Sequence, residues 1–394
     1  MSQLLISRNA DLKRLRDEGY NIEISGGYLF THHIPYVNSA REIKFGTLIC
    51  ALDMSGEKTT KPNTHVMMFS GEFPCSNHGI HMTAIKHPTP NINTGFVNGI
   101  TARHQFSNKP PNGYVDFYDK VKRYADIISS PAKSIDDSVT EKPFLPIEDK
   151  EENSVFNYLD TNSSRANIDS INNKLRSQKI GIVGMGGTGA YILDMVAKTH
   201  VREIHIYDGD VFLNHNAFRS PGAATITELE EQISKVDYYQ RKYSQMRKGI
   251  IAHNYYVYES NFNELLRFDC VFICIDNNLV RKDLIQFLVV QGIPFVDLGL
   301  GVNVVEDSLI GQIRVTSANK DNNSHLDKYI PDGDVTDNDY VTNIQIAELN
   351  LLNAGFAVLK WKKMFGFYQD LEVEFHSTYS INNSFLNNEA RGEV

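Results

Sequence analysis

The 394-residue chain holds four cysteines and a single tryptophan, lacks any long apolar run, and has no surplus of positive charge. Each shortage excludes something. Cys50, Cys75, Cys270 and Cys274 are too few and too scattered for a disulfide framework. None of them belongs to a CxxC pair, so a structural zinc held by thiolates is not expected. No stretch of about 18 apolar residues is present to span a membrane. No early apolar segment has the basic start and cleavage site of a secretory signal. The formal net charge of -9 argues against a broad nucleic-acid surface, which needs a basic field. These shortages point to a soluble cytoplasmic protein with neither a membrane nor a nucleic acid as partner. The length leads to an expectation of roughly two domains, at a prior of about 150 residues each.

What the chain does have is concentrated between Lys179 and Asp210. A short apolar run, Ile180-Gly181-Ile182-Val183, ends in Gly184-Met185-Gly186-Gly187-Thr188-Gly189. Ala190, Ile192, Leu193, Val196 and Ala197 then recur at helical spacing. A second apolar run, Glu203 to Tyr207, closes on Asp208. Strand, glycine turn, helix, strand and acid follow the order of a nucleotide-binding βαβ unit. Glycines let the backbone turn tightly and approach phosphates, and the helix start offers free N–H groups with a partial positive charge. Asp208 sits where an acid accepts bonds from ribose hydroxyls.

Upstream, Leu4 to Glu18 reads as an amphipathic helix followed by a strand, and Tyr28 to Ile85 as short strands separated by turn residues. Residues 88–113 are rich in Pro, Asn and Gly and read as irregular. Tyr114 to Ile128 carries a helical stripe of Val115, Tyr118, Val121, Tyr124, Ala125 and Ile128. Residues 129–152, with many acids, read as a linker. An N-terminal α+β domain is therefore expected over residues 1–150 and a second domain over 151–394.

In the second domain, Asn162 to Arg176 reads as a polar helix and Gln232 to Lys248 as a long charged one. Tyr255–Tyr258, Asp269–Ile275 and Pro294–Asp297 read as strands, with a helix from Asn278 to Gln291. Alternating strands and helices predict an α/β fold, a Rossmann-like, doubly wound parallel sheet. Residues 319–340 are polar and acidic and read as a mobile crossover loop. Thr342 to Phe365 reads as a long amphipathic helix, followed by a strand from Leu371 to Tyr379 and a frayed tail.

Gly184 to Gly189, then Asp208-Gly-Asp210, then Asn214-His-Asn216-Ala-Phe-Arg219 together resemble the adenylation domain of the ThiF, MoeB and ubiquitin-activating-enzyme family. That pattern runs GxGGxG, DxD and NxxR, then a lysine on the next helix and an aspartate at a strand end. Lys235 and Asp276 fall in the last two places, and Arg165 stands where the family has an arginine ahead of the first strand. The resemblance spans residues 155–380. It implies an adenylyltransferase that uses ATP and Mg²⁺ to activate the C-terminal carboxylate of a ubiquitin-like or sulfur-carrier-like protein. Two anions must meet in that reaction, so cations are needed, and Arg219, Lys235 and Arg165 would surround the triphosphate. Asp276 would hold Mg²⁺ together with phosphate oxygens, although an aspartate there could instead cap the helix that follows. Gly184, Gly186, Gly187 and Gly189 would cradle the nucleotide, Asp208 would take the ribose, and Asp210 and Asn216 would orient the loop or the phosphates.

The chain departs from the family in two ways. No cysteine follows Cys274, so thioester formation on this domain is not supported, and the paired CxxC zinc sites of many members are absent. The N-terminal domain has about the size of a ubiquitin-conjugating fold. It resembles the modules fused to ThiF domains in bacterial ubiquitin-like conjugation gene clusters, which implies a partner-binding or conjugating role. Cys75 is its best thiol candidate, and His65, Cys75, His78, His81 and His87 are an alternative metal cluster of no standard spacing. The helix from Thr342 is more apolar than one covered face requires, and related domains pair across such helices as homodimers. Two further readings stand beside the adenylyltransferase. One is a nucleotide-binding scaffold of a conjugation system. The other is an NAD- or FAD-dependent oxidoreductase, against which Arg219, Lys235 and Asp276 speak.

Overall fold

The computed structural model describes residues 2–149, 153–330 and 344–392. The end of the expected linker, the later part of the acidic crossover loop, and the start of the helix expected from Thr342 lie outside the described residues. The chain divides into two compact units, Met1–Ile147 with Asp160–Ala166, and Glu148–Leu159 with Asn167–Val394.

The first unit is an antiparallel sheet with helices against it. Its strands are β1 (Asn21–Ser25), β2 (Tyr28–Val37), β3 (Ile43–Ala51), β6 (Val66–Ser70), β7 (Lys86–Gly95) and β8 (Thr101–Ser107), with β4 (Met54–Ser55) and β5 (Lys58–Thr59) forming a separate small hairpin. The six-stranded sheet has the order β1-β2-β3-β6-β8-β7. The helix Phe117–Ile135 buries Phe117, Val121, Tyr124, Ala125 and Ile128. It starts where the Asp116 carboxylate accepts from the Asp119 backbone N–H at 2.8 Å, an N-cap of ordinary type. Val115, expected in its stripe, precedes the cap and is exposed. The expected helix from Leu4 to Glu18 is two helices, Ser2–Arg8 and Ala10–Asp17, because Asn9 is extended between them. Residues 88–113 are irregular only at 96–100 and 108–113, since β7 and β8 run through the rest. Pro88 and Pro90 fit because β7 is the sheet edge, where a missing N–H breaks no ladder, and its register against β8 shifts twice.

The second unit is built on an eight-stranded sheet of order β11-β10-β9-β12-β13-β14-β15-β16. Its members are β9 (Lys179–Val183), β10 (Glu203–Tyr207), β11 (Ile250–His253), β12 (Cys270–Ile273), β13 (Phe295–Val305), β14 (Ser308–Ala318), β15 (Glu374–Ser380) and β16 (Phe385–Arg391). The first five are parallel and the rest antiparallel. Alternation along the parallel strands sorts the core. Ile180, Ile182, Ile204, Ile206, Cys270 and Phe272 face one layer, with the helices Gly187–Ala197, Lys235–Tyr243 and Ala347–Met364. Val183, Tyr207, Val271 and Ile273 face the other, with the helix Asn278–Gln291. Burial on both faces is why these strands read as unbroken apolar runs, and the fold is the expected Rossmann-like α/β one.

Four local expectations are corrected. Tyr255–Tyr258 is not a strand: pairing with β10 ends at His253, and the residues that follow join no sheet. The polar helix from Asn162 to Arg176 breaks at Asn167, whose φ of 57° is left-handed. The charged helix is confined to Lys235–Tyr243 because Ser234 caps its start. The frayed tail contains β16, paired to β15.

Candidate functional site

In the parallel sheet the chain runs from β9 out to β10 and β11, then returns to place β12 on the other side of β9. Helices therefore leave in opposite directions from β9 and β12, and a crevice opens at their carboxyl ends, where open α/β sheets bind ligands. A cavity of about 420 Å³ occupies that crevice. Gly184, Gly186, Asp208, Asp210, Arg219, Lys235 and Asp276 all line it. These seven, out of the residues singled out from the sequence, thus converge from five separate stretches of one unit.

The four glycines of the turn serve three different needs. Gly184 has a φ of 94°, and a Cβ there would stand 2.7 Å from the Cys274 carbonyl oxygen. Gly187 and Gly189 are packing positions. A Cβ on Gly187 would meet Asn350 Nδ2 at 2.0 Å, and one on Gly189 would meet the Gly184 carbonyl oxygen at 1.9 Å. Only Gly186 among them has open space where a Cβ would point. It is the glycine of the turn at which the backbone is least covered by its own neighbours.

The acids beyond β10 form a charge-balanced cluster. Asp208 is buried, and its two oxygens accept from the backbone N–H of Met185 at 2.7 Å and of Asp210 at 2.8 Å. Burial pushes its carboxyl above the ordinary value, against the pull of Lys235 and the two backbone donors. Lys235, the first residue of its helix, reaches Asp210 at 2.6 Å and Asp208 at 3.5 Å. The Tyr256 hydroxyl donates to the other oxygen of Asp210. Burial raises Asp210, yet the Lys235 and Tyr256 bonds outweigh it and hold the carboxyl below its usual range. The same bond pushes the Tyr256 phenol up to about 12. Lys235 therefore faces the acids, and its charge is balanced by them.

Asn216 does not line the cavity. Its side chain accepts from the Leu213 N–H at 2.9 Å and closes the turn that carries Arg219 to the crevice. Nε of Arg219 is buried with no hydrogen-bond partner among the described residues. Asp276 follows β12, and the helix after it is capped by Asn277, whose side chain accepts from Val280 N–H at 3.1 Å. Arg165 is exposed on the helix Thr161–Ala166 of the first unit and is not among the lining residues. Sequence reasoning missed Tyr256, Gln345 and Arg281. The first two line the cavity, and Arg281 bonds the Ile275 carbonyl just before Asp276. Nothing in a tyrosine-rich run or a lone glutamine marks such a place in advance.

The thiol expectation is corrected. Cys75 is fully buried, its Sγ lies 3.4 Å from the Phe73 carbonyl oxygen, and burial pushes the thiol up. The histidines around it form no metal cluster: no group of three His, Cys, Asp or Glu able to hold a metal is present among the described residues. No helix of the described residues is long and apolar enough to cross a membrane.

A glycine turn at a switch point, paired acids and an arginine whose Nε has no hydrogen-bond partner among the described residues line one crevice, the layout of a nucleotide-binding α/β protein. The chain belongs to the ThiF family, whose model matches residues 162–364, just over half its length. This membership supports an adenylyltransferase-type enzyme that uses a nucleotide. Residues 10–161 match a second model, described as a domain of unknown function, DUF6791. No curated protein matches the chain. Among solved structures, E. coli MccB with MccA-N7isoASN is 15% identical with a TM-score of 0.44, covering 57% of this chain and 67% of that one. E. coli MccB with ATP is 16% identical with a TM-score of 0.42, over 57% of this chain and 66% of that one. PaaA is 16% identical with a TM-score of 0.43, over 58% of this chain and 80% of that one.

Proposed function

We propose that this protein is an ATP- and Mg²⁺-dependent adenylyltransferase that activates the C-terminal carboxylate of a ubiquitin-like protein. The observation that carries the reading is Arg219, its Nε buried without a hydrogen-bond partner among the described residues, lining the same crevice as Gly186 and Asp276. A buried unpaired donor is costly to maintain, and an anion is what satisfies it. The open face of Gly186 admits phosphate oxygens, and the crevice volume is that of a small-molecule site. Asp208 keeps lone pairs for ribose hydroxyls beyond the two backbone bonds it accepts. Asp276 fits Mg²⁺ as a single carboxylate completed by phosphate oxygens and water, the usual donor set for that ion. Bound there, the ion would neutralise charge on the departing phosphates.

In the reaction the substrate carboxylate forms a bond to the α-phosphorus while the bond to the bridging oxygen breaks. Pyrophosphate leaves with the electron pair and an acyl adenylate remains. Arg219 stabilises the charge that builds on the phosphates, and Lys235 keeps Asp208 and Asp210 from repelling them. The first unit presents the partner or a conjugating enzyme. Leu351, Leu352 and Leu359, exposed on the helix Ala347–Met364, support homodimer pairing.

The test is ATP–pyrophosphate exchange with purified ubiquitin-like proteins. Exchange that requires the free C-terminal carboxylate and Mg²⁺, and that Asp276→Ala abolishes in a folded variant, is expected. The burial of Cys50, Cys75 and Cys270 leaves a nucleotide-binding scaffold as the second reading. ATP binding without exchange for any such partner would select the scaffold.

A further inference from the structure

The helix Ala347–Met364 packs into the core of its own sheet through Ala354, Ala357, Val358 and Trp361. Two carboxamides interrupt that apolar face, Asn350 and Asn353, one turn apart and almost wholly buried. Burying an amide costs free energy unless it is hydrogen-bonded, so each position calls for a reason. Asn353 donates to the Gly299 carbonyl at 3.1 Å, an ordinary tie between helix and strand. Asn350 does something different. Its Oδ1 accepts from the Thr188 hydroxyl at 2.9 Å, and its Nδ2 donates to the Arg219 carbonyl at 3.2 Å.

Thr188 belongs to the glycine turn, and Arg219 ends the segment that brings its guanidinium to the crevice. One side chain therefore fixes the separation of the two walls that would hold the triphosphate. The third glycine of the turn is fitted to this arrangement. A Cβ on Gly187 would lie 2.0 Å from Asn350 Nδ2 and 2.7 Å from the Arg219 carbonyl oxygen. The absent side chain leaves the space in which Asn350 and Arg219 meet, so the doubled glycine of this chain serves Asn350 as much as any phosphate.

We infer that Asn350 is a positioning residue that sets where Arg219 stands relative to the glycine turn, and so tunes affinity for the triphosphate end of the nucleotide. The inference rests on the nucleotide reading above. It makes a demand that a purely structural role does not: disturbing Asn350 must hurt ligands in proportion to the phosphates they carry. Leucine at 350 removes both bonds and takes from the part-buried Arg219 carbonyl its Asn350 donor. Aspartate keeps the volume and the Thr188 bond but sets an acceptor against the Arg219 carbonyl, which drives the loop outward.

The experiment is calorimetric titration of the full chain with ATP and with AMP, both with Mg²⁺, for the parent, Asn350→Asp, Asn350→Leu, Arg219→Ala and the double variant Arg219→Ala with Asn350→Asp. Melting curves identify the folded ones, and Asn350→Asp stands in should the leucine variant not fold. The expected result is a loss of about tenfold in ATP affinity for Asn350→Asp, with AMP affinity changed less than about twofold. The double variant should bind ATP about as Arg219→Ala alone does, because the two residues act through one group. Equal losses for ATP and AMP, or losses that multiply in the double variant, would overturn the inference. A parent that binds no ATP would overturn the nucleotide reading itself, and this inference with it.

Discussion

Replacing Lys235 by methionine tests the electrostatic design of the crevice. The ammonium group sits between Asp210 at 2.6 Å and Asp208 at 3.5 Å, with side-chain exposures of 8% for Lys235, 7% for Asp208 and 49% for Asp210. Removing one member of a buried ion pair costs about 3–5 kcal/mol, because the remaining charge has no partner. Asp210 is half exposed, so water screens it, and Asp208 keeps two backbone donors. The expected cost is therefore smaller, about 2–3 kcal/mol at pH 7. For a unit of this size that lowers the melting midpoint by roughly 5–10 °C. The effect has a pH signature. Asp210 is held below its ordinary value, so the stability it contributes is present above about pH 4 and is lost as pH falls further. Asp208 is shifted upward, so it takes a proton sooner in the folded state and relieves the variant on the acid side. The Asp208 shift narrows the gap between parent and variant toward pH 4, and the Asp210 shift narrows it further only below that pH. An unchanged midpoint at pH 7, or a gap of the same size at pH 4, would refute the reasoning.

Arg219→Ala should weaken Mg·ATP binding by about 1.5–3 kcal/mol, the worth of a charge-assisted bond, and equal affinity in calorimetry would remove the residue from the site. His253 and His376 are both pushed down to about 4, chiefly by burial. Free histidine titrates near about 6.5, so their contribution is complete above that pH and is lost as pH falls toward about 4. Urea midpoints should therefore drop between pH 7 and pH 5, and a flat profile would count against the buried, neutral rings. Burial raises the thiols of Cys50, to about 11, and of Cys75. A thiol reagent should therefore label both slowly until the protein unfolds. Rapid native labelling of Cys75 would reopen its role as a conjugation thiol.

The sequence announces the parts whose signal is local. The strand, glycine turn, helix and acid between Lys179 and Asp210 are each set by near neighbours, and the helix Asn278–Gln291 has the span its pattern predicts. Edge strands are harder to read, because β7 tolerates Pro88 and Pro90 only by lacking a partner on one side, a fact of topology. The aromatic run at Tyr255–Tyr258 has strand composition, yet it leaves the sheet and Tyr256 bonds Asp210. Asn350 is a single amide in an apolar helix, and its meaning depends on Thr188 and Arg219, both more than a hundred residues away. Of the crevice lining, then, the glycine turn, the two acids, Arg219, Lys235 and Asp276 are legible, Arg165 and Asn216 are misplaced by the motif, and the groups that seat the rest are not legible.

The most direct measurement follows the label from ATP carrying ³²P at the α-phosphate, incubated with this protein, Mg²⁺ and a purified ubiquitin-like protein. The account predicts that the partner acquires labelled AMP at its C-terminal carboxylate as pyrophosphate is released, and that blocking that carboxylate prevents it. Label that remains in nucleotide with every such partner, while ATP still binds, would contradict the claim that this crevice activates an acyl group.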